Sequence, residues 1–161
     1  MRLPLRSAAC LSTFALVLAC TSLPPRAFAF GGDYGGSSNE EDAKPRDYRK
    51  GVALIEDGKY EDGLKRLKKA EEKMPHDADL LNYMGFAYRK LGENAQSLDY
   101  YQRALRENPS HLGANEYLGE LYLQMNDLPK AEAQLAVLKT LCDACEELKT
   151  LDKAIADYQP Q

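Results

Sequence analysis

Three glycines at equal intervals constrain this chain more than any other feature of its sequence. The interval from Gly51 to Gly85 equals the interval from Gly85 to Gly119. This interval, about 34 residues, is a known repeat length of helix–turn–helix solenoids, in which each unit packs only against its neighbours. A second set keeps the same interval and tolerates the left-handed backbone that ends a helix: Gly58, Gly92 and Asn126. The sequence therefore predicts a repeated helical hairpin.

The apolar pattern from Pro45 onward predicts an all-α fold, because it is helical and never alternates for long with period two. Pro75 and Pro109, again separated by the repeat interval, are expected to stop the second helix of their units. Asp127 is expected to cap a helix that accepts Pro129 in its first turn. The predicted helices are about 45–57, 60–73, 79–91, 94–107, 113–125, 128–141 and 145–158.

The units resemble tetratricopeptide repeats, whose pattern is W-x2-L-G-x2-Y, then A-x3-F, then P. The second unit fits this pattern well, and its matching residues are Leu81, Met84, Gly85, Tyr88, Ser97, Tyr101, Ala104 and Pro109. The third unit matches through residues such as Leu118, Gly119 and Tyr122, and the first more weakly. The resemblance implies a non-enzymatic, right-handed superhelical array. Its units would be 45–77, 78–111 and 112–144, followed by a capping helix and tail at 145–161.

Tetratricopeptide domains bind partner segments in a concave groove lined by their first helices. Carried over by repeat phase, the predicted groove residues are Tyr48, Val52, Asn82, Phe86, Arg89, Lys90, Glu116, Glu120 and Leu123. They predict a groove that begins apolar, becomes basic and ends acidic. The family's best-known groove clamps a chaperone's terminal carboxylate with Lys and Asn where this chain has Tyr48 and Val52, so that ligand is not expected. The alternative is that Val52 and Phe86 pack against the next helix and the charges form a solvated face.

The segment Cys142-Asp143-Ala144-Cys145 has several possible roles. A structural disulfide would fasten the last hairpin. A redox-active pair is the second interpretation, because a Cys-x-x-Cys at a helix start lowers a thiolate pKa, although no βαβ pattern surrounds it. Metal binding would need two further ligands, and the only histidines, His76 and His111, lie in turns of earlier units. Free thiols are the last alternative. We predict no metal and no cofactor.

Residues 1–29 have the features of an export signal. Arg2 and Arg6 precede an apolar run, and the segment ends in Ala27-Phe28-Ala29, a small–x–small cleavage pattern. The run is shorter than the roughly 20 residues that span a bilayer. Cleavage after Ala29 would leave a periplasmic bacterial protein.

A second interpretation rests on Val17-Leu18-Ala19-Cys20, which resembles the lipobox of bacterial lipoproteins. Lipidation at Cys20 would anchor the protein in the cell envelope. Both interpretations predict export, and an exported cysteine pair at Cys142 and Cys145 is expected to be oxidised.

Charge and composition narrow the class of partner. The chain has 21 basic and 25 acidic residues, and the predicted signal removes three arginines, which leaves a net charge of about −7. Without a basic cluster, an acidic chain is not expected to bind nucleic acid. Residues 30–44 are Gly/Ser-rich and then acidic, as in a flexible linker. The resemblance to tetratricopeptide repeats then implies a scaffold or adaptor that binds a protein partner.

Overall fold

The computed structural model describes residues 44–160, which form seven α-helices and no strand. The helices are α1 (Arg46–Glu56), α2 (Tyr60–Glu71), α3 (Ala78–Lys90), α4 (Asn94–Glu107), α5 (Leu112–Gln124), α6 (Leu128–Leu141) and α7 (Glu146–Ala156). The predicted all-α fold is confirmed, and each predicted helix end lies within two residues of the observed one. The predicted signal 1–29, Cys20 and nearly all of the linker 30–44 lie outside the described residues.

Helix pairing follows the repeat. The pairs α1–α2, α3–α4 and α5–α6 form three hairpins, and α7 packs against both helices of the last one. Each second helix also contacts the first helix of the next unit. The first helices contact one another directly, from α1 to α3 and from α3 to α5. The chain is therefore a helical-repeat superhelix in which the first helices form the inner row.

Left-handed residues end the first helix of every unit. Gly58 has φ 75°, Gly92 has φ 78°, and Asn126, with φ 59°, is the one non-glycine residue in this conformation among residues 44–160. The amide after each donates back into the last turn, as Glu93 N–H does to Tyr88 O at 2.9 Å. The predicted helix ends at these three positions are confirmed.

The repeated glycines are sites of close helix contact. A Cβ atom added at Gly51 would lie 2.5 Å from Leu67 Cδ2, and one at Gly85 would lie 2.7 Å from the Tyr101 ring. At Gly119 the neighbour is Leu151 of α7, at 2.5 Å, rather than a residue of the same hairpin. These three large side chains are fully buried. Small residues are therefore required at all three positions, and the capping helix supplies the last contact.

A polar network joins the N-terminal ends of the units. Asp77 caps α3 by accepting from Leu80 N–H at 2.8 Å, and Asp127 caps α6 as predicted. The Lys44 amine pairs with Asp77 at 3.0 Å and with Asp79 at 2.9 Å.

None of the helices between residues 44 and 160 is long and apolar enough to cross a bilayer.

Candidate partner-binding groove

The predicted groove residues lie on the inner row of helices but differ in exposure. Four of them are almost fully buried: Tyr48, Val52, Asn82 and Glu116. Phe86, Arg89, Glu120 and Leu123 are partly buried, and Lys90 is exposed. Tyr48 and Val52 belong to the same core cluster as Leu67, which fits the alternative in which Val52 packs against neighbouring helices. The partly buried residues lie on α3 and α5, so the accessible part of the groove is its middle and C-terminal end.

Arg89 is the central cation of the groove. Its guanidinium lies 2.6 Å from the Glu120 carboxylate and 5.5 Å from the ring centres of both Phe86 and Tyr117. Burial opposes its charge, but Tyr101 and Glu120 outweigh burial and raise the Arg89 pKa. A buried cation held between rings and a carboxylate is rigid. The sequence predicted a basic region followed by an acidic region in the groove. In the structure, Arg89 of the one and Glu120 of the other form an ion pair between neighbouring units.

Aromatic rings connect the three units along this face. Phe86 lies 5.2 Å from Tyr117 and 6.2 Å from Tyr60, measured between ring centres, and Tyr48 lies 6.2 Å from Tyr83. Lys90 Nζ stands 5.1 Å from the Phe86 ring centre. Burial and the neighbouring Arg89 lower the Lys90 pKa. Aromatic and arginine side chains of this kind dominate the binding energy of protein interfaces.

The acidic end of the groove has one unusual carboxyl. Glu116 is 8 % exposed, and burial together with the charges of Glu120 and Glu147 raises its pKa to about 8. Sequence phase placed Glu116 on the groove face but gave no sign of its burial. Tyr48 and Asn82 occupy the same place in the earlier units and are also buried, so burial is shared by this position of the repeat.

Cys142, Cys145 and the two histidines lie outside the groove. Cys142 and Cys145 are joined as a disulfide in the turn before α7. His111 is buried as the N-cap of α5, and the exposed His76 pairs with Glu107 at 2.8 Å. Between residues 44 and 160, no three His, Cys, Asp or Glu side chains are grouped so that they could hold a metal ion.

Helix α2 carries a basic cluster that the sequence was not expected to contain. Lys65, Arg66 and Lys69 of α2, with Leu54 and Asp62, line a surface cleft of about 370 Å³. Two of these cations are already paired, Lys65 with Asp62 at 2.7 Å and Arg66 with Asp47 at 3.1 Å. The prediction of a chain without a basic cluster was therefore wrong, although the local ion pairs reduce the positive charge of this cleft.

Comparison with known proteins agrees with this architecture. Residues 78–111 match the family model of the tetratricopeptide repeat. The Phagocyte signaling-impaired protein of Drosophila pseudoobscura pseudoobscura is 32% identical over 95 residues, which are 59% of this chain and 10% of that protein. The chain thus corresponds to only a small part of this curated relative.

Two solved structures share the fold. The first tetratricopeptide domain of Spaghetti (RPAP3), bound to an HSP90 peptide, has a TM-score of 0.60 at 21% identity, and covers 69% of this chain and 91% of that one. The second is the Yersinia enterocolitica type III secretion chaperone SycD in complex with a peptide of the translocator YopD. Its TM-score is 0.62 at 19% identity, and the alignment covers 78% of this chain and 93% of the SycD chain. The chain therefore has the fold of tetratricopeptide-repeat proteins, and its second unit matches the sequence model of that repeat.

Proposed function

We propose that this protein is a non-enzymatic adaptor of the bacterial cell envelope that binds a segment of a partner protein along its inner row of helices. The observation that carries the proposal is the partly buried aromatic row around Arg89. Phe86 and Tyr117 come from neighbouring units, and both stack on the same guanidinium. A rigid surface of this composition supplies contact area at low entropic cost.

The fold supports binding of an extended partner segment. The SycD structure holds a peptide of its translocator, and the Spaghetti domain holds an HSP90 peptide. An extended partner segment on this chain would pass Phe86, Arg89 and Lys90 and reach Glu120. The ion pair of Arg89 with Glu120, at 2.6 Å, leaves Lys90 as the more accessible cation of this region.

Site-specific photo-cross-linking in cells tests this assignment. A benzophenone amino acid at position 90 or 123 would face the groove, and one at the exposed Ala136 of α6 is the matched control on the outer row. We expect one defined partner, identified by mass spectrometry, from the groove positions and not from position 136. Phe86→Ala should reduce its recovery. Equal cross-linking from both faces, or recovery unaffected by Phe86→Ala, would contradict the groove assignment.

The cellular location is proposed from the sequence of residues 1–29 alone. Arg2, Arg6 and the Ala27-Phe28-Ala29 pattern support cleavage after Ala29 and release into the periplasm. Determination of the mature N-terminus would distinguish this product from a lipoprotein that begins at Cys20. Labelling with a lipid precursor in wild type and Cys20→Ala provides the complementary measurement.

A further inference from the structure

The cleft on the first hairpin occupies a face that the preceding unit covers in the second hairpin. We call the cleft lined by Leu54, Asp62, Lys65, Arg66 and Lys69 the basic cleft. One repeat interval after Leu54, Arg66 and Lys69 come Tyr88, Tyr100 and Arg103. In the second hairpin these three counterparts contact α2, the second helix of the preceding unit. The basic cleft is therefore the surface on which an element that precedes the first hairpin would pack.

The contact in the second hairpin shows which chemistry this surface accepts. Glu71 of α2 lies 2.5 Å from the Arg103 guanidinium and accepts a hydrogen bond from Tyr100 OH at 3.3 Å. A carboxylate of the preceding element thus meets the cation of the following hairpin. Lys69 has the place of Arg103 in the first hairpin. The repeat therefore predicts a carboxylate beside Lys69.

The cations of the basic cleft are available to such a carboxylate. No carboxylate between residues 44 and 160 pairs with Lys69. Lys65 and Arg66 pair with Asp62 and Asp47, but these four side chains are from 32 % to 72 % exposed. Ion pairs at such exposure contribute little to stability, so their cations can accept a further partner at small cost.

The segment that directly precedes the first hairpin has the complementary charge. Residues 30–43 have no Lys or Arg and four acidic side chains: Asp33, Glu40, Glu41 and Asp42. A segment of the same chain has an effective concentration in the millimolar range at the cleft, which favours it over carboxylates of other molecules. Charge and connectivity therefore both favour residues 30–43 as the occupant.

The point of attachment lies within reach of the basic cleft. The Lys44 amine is held on the α3 side of α1 by Asp77 and Asp79, whereas Arg66 of the cleft pairs with Asp47 in the first turn of α1. A helix is about 10–12 Å across, and an extended chain advances about 3.3–3.6 Å per residue. About three to four residues before Lys44 are enough to pass the start of α1. Glu40 and Glu41 stand at this distance.

We propose that the segment Glu40-Glu41-Asp42 folds back over the first hairpin, where the carboxylates of Glu40 and Glu41 pair with Lys65 and Lys69 in the basic cleft. The segment gives the first hairpin the carboxylate that α2 gives the second. The end units of a repeat array need polar covers, and α7 covers the other end. This contact is independent of the groove function, because it lies on the end of the array and not on its inner row.

Zero-length carbodiimide coupling of the predicted exported chain, residues 30–161, tests this contact. The reagent joins a carboxylate to an amine only where the two touch, and mass spectrometry identifies the joined residues. A mixture of ¹⁵N-labelled and unlabelled protein distinguishes coupling within one molecule from coupling between two. Asp62 with Lys65, at 2.7 Å, is the internal positive control. We expect Glu40 or Glu41 to couple to Lys65 or Lys69 within one molecule.

Arginine variants show whether the charge of the cleft directs this coupling, because carbodiimide does not join arginine to carboxylates. Arg66→Gln should reduce the product from Glu40 and Glu41 several-fold. Arg106→Gln, the same change at an exposed position of α4, should leave it unchanged.

Three results would overturn the proposal. The first is coupling of Asp62 to Lys65 without any product from Glu40 or Glu41. The second is a product that is equally abundant in Arg66→Gln and wild type. The third is coupling to the cleft lysines only between two molecules, for instance from Glu146 or Glu147 in the first turn of α7, which would assign the basic cleft to a second copy of the chain.

Discussion

Leu151 of the capping helix lies against Gly119 so closely that a Cβ atom at position 119 would stand 2.5 Å from its Cδ2. In the first two units the glycine faces a side chain of its own hairpin, Leu67 or Tyr101. Helix α7 is therefore part of the core of the last unit, and it ends the array by covering its glycine.

Gly119→Ala should loosen this contact. The added methyl group has to displace Leu151, and overpacking of this kind typically costs about 1–3 kcal/mol. We expect the backbone amides of α7 to lose hydrogen-exchange protection while those of α1 and α2 keep theirs. Unchanged protection of α7 would show that the cap does not depend on this contact.

Two variants serve as controls. Leu151→Ala opens space at the same point, so the double variant with Gly119→Ala should lose less stability than the sum of the single changes. Gly85→Leu instead forces a side chain into the Tyr101 ring in the middle of the array, and should lower the melting temperature of the whole domain by several degrees. If Gly119→Ala destabilises only α7 whereas Gly85→Leu destabilises the whole domain, the two glycines have different roles, one at the capping helix and one in the core of the array.

His111 caps a helix although histidine is not among the favoured cap residues. Its Nδ1 atom accepts a hydrogen bond from Ala114 N–H at 3.1 Å, and its Nε2 atom lies 3.2 Å from Asp79 Oδ1. The neighbouring imidazole, with help from Lys44, lowers the pKa of Asp79. The imidazole thus connects the N-terminal ends of α3 and α5.

His111→Ala should lower the free energy of unfolding by about 1–2 kcal/mol, because it removes the cap and the link to Asp79. His111→Asn should cost less, since asparagine is a favoured cap. Urea unfolding midpoints provide the measurement, and Asp127→Ala on α6 is a matched loss of a cap without an interhelical partner. If the alanine and asparagine variants unfold at the same urea concentration, His111 does not act through its cap.

The fold was predictable because its determinants repeat. Glycine at a close contact and glycine or asparagine at a left-handed turn are dictated by local sterics, and the constant repeat interval makes each visible three times. The capping contact of Gly119 was not predictable, because Leu151 lies outside the repeat phase, on the capping helix.

The sequence predicted which residues lie on the groove face but not how far each of them is buried. Repeat phase placed Tyr48, Asn82 and Glu116 on the inner face, but their burial depends on how closely neighbouring units approach. The pairing of Arg89 with Glu120 joins two successive units. Such a contact follows from the superhelical arrangement rather than from any local pattern, so the sequence showed a basic and an acidic region where the structure has an ion pair.

Reduction of Cys142 and Cys145 should reveal whether this pair has a structural or a redox role. The disulfide closes a very short loop, so the chain-entropy model gives a stabilisation of only about 2 kcal/mol. We expect the reduced domain to remain folded with a slightly lower melting temperature, and cross-linking from position 90 to be unchanged. The double variant Cys142→Ser with Cys145→Ser should behave like the reduced protein.

The reduction potential of Cys142 and Cys145 distinguishes a structural disulfide from a redox-active pair. A structural disulfide is expected below about −300 mV, whereas catalytic pairs have higher potentials. Glu146 and Glu147 follow Cys145 directly in the first turn of α7, and their negative charges disfavour a reactive thiolate. A much higher potential would contradict the structural role and favour the thiol–disulfide alternative.

Glu116 should make the protein less stable as pH rises. Its pKa is about 8 in the folded chain, against a reference value of 4.5, so between these values the folded state holds a proton that the unfolded state has released. Stability falls with pH wherever the folded state binds more protons.

The variant Glu116→Gln should remove this pH dependence, because the amide resembles the protonated carboxyl. Its free energy of unfolding should match that of wild type near pH 4.5 and exceed it by up to a few kcal/mol at pH 8. Melting temperatures across this range measure the difference, with the exposed Glu132→Gln as the control. A constant difference between Glu116→Gln and wild type over the whole range would show that Glu116 is not buried among like charges.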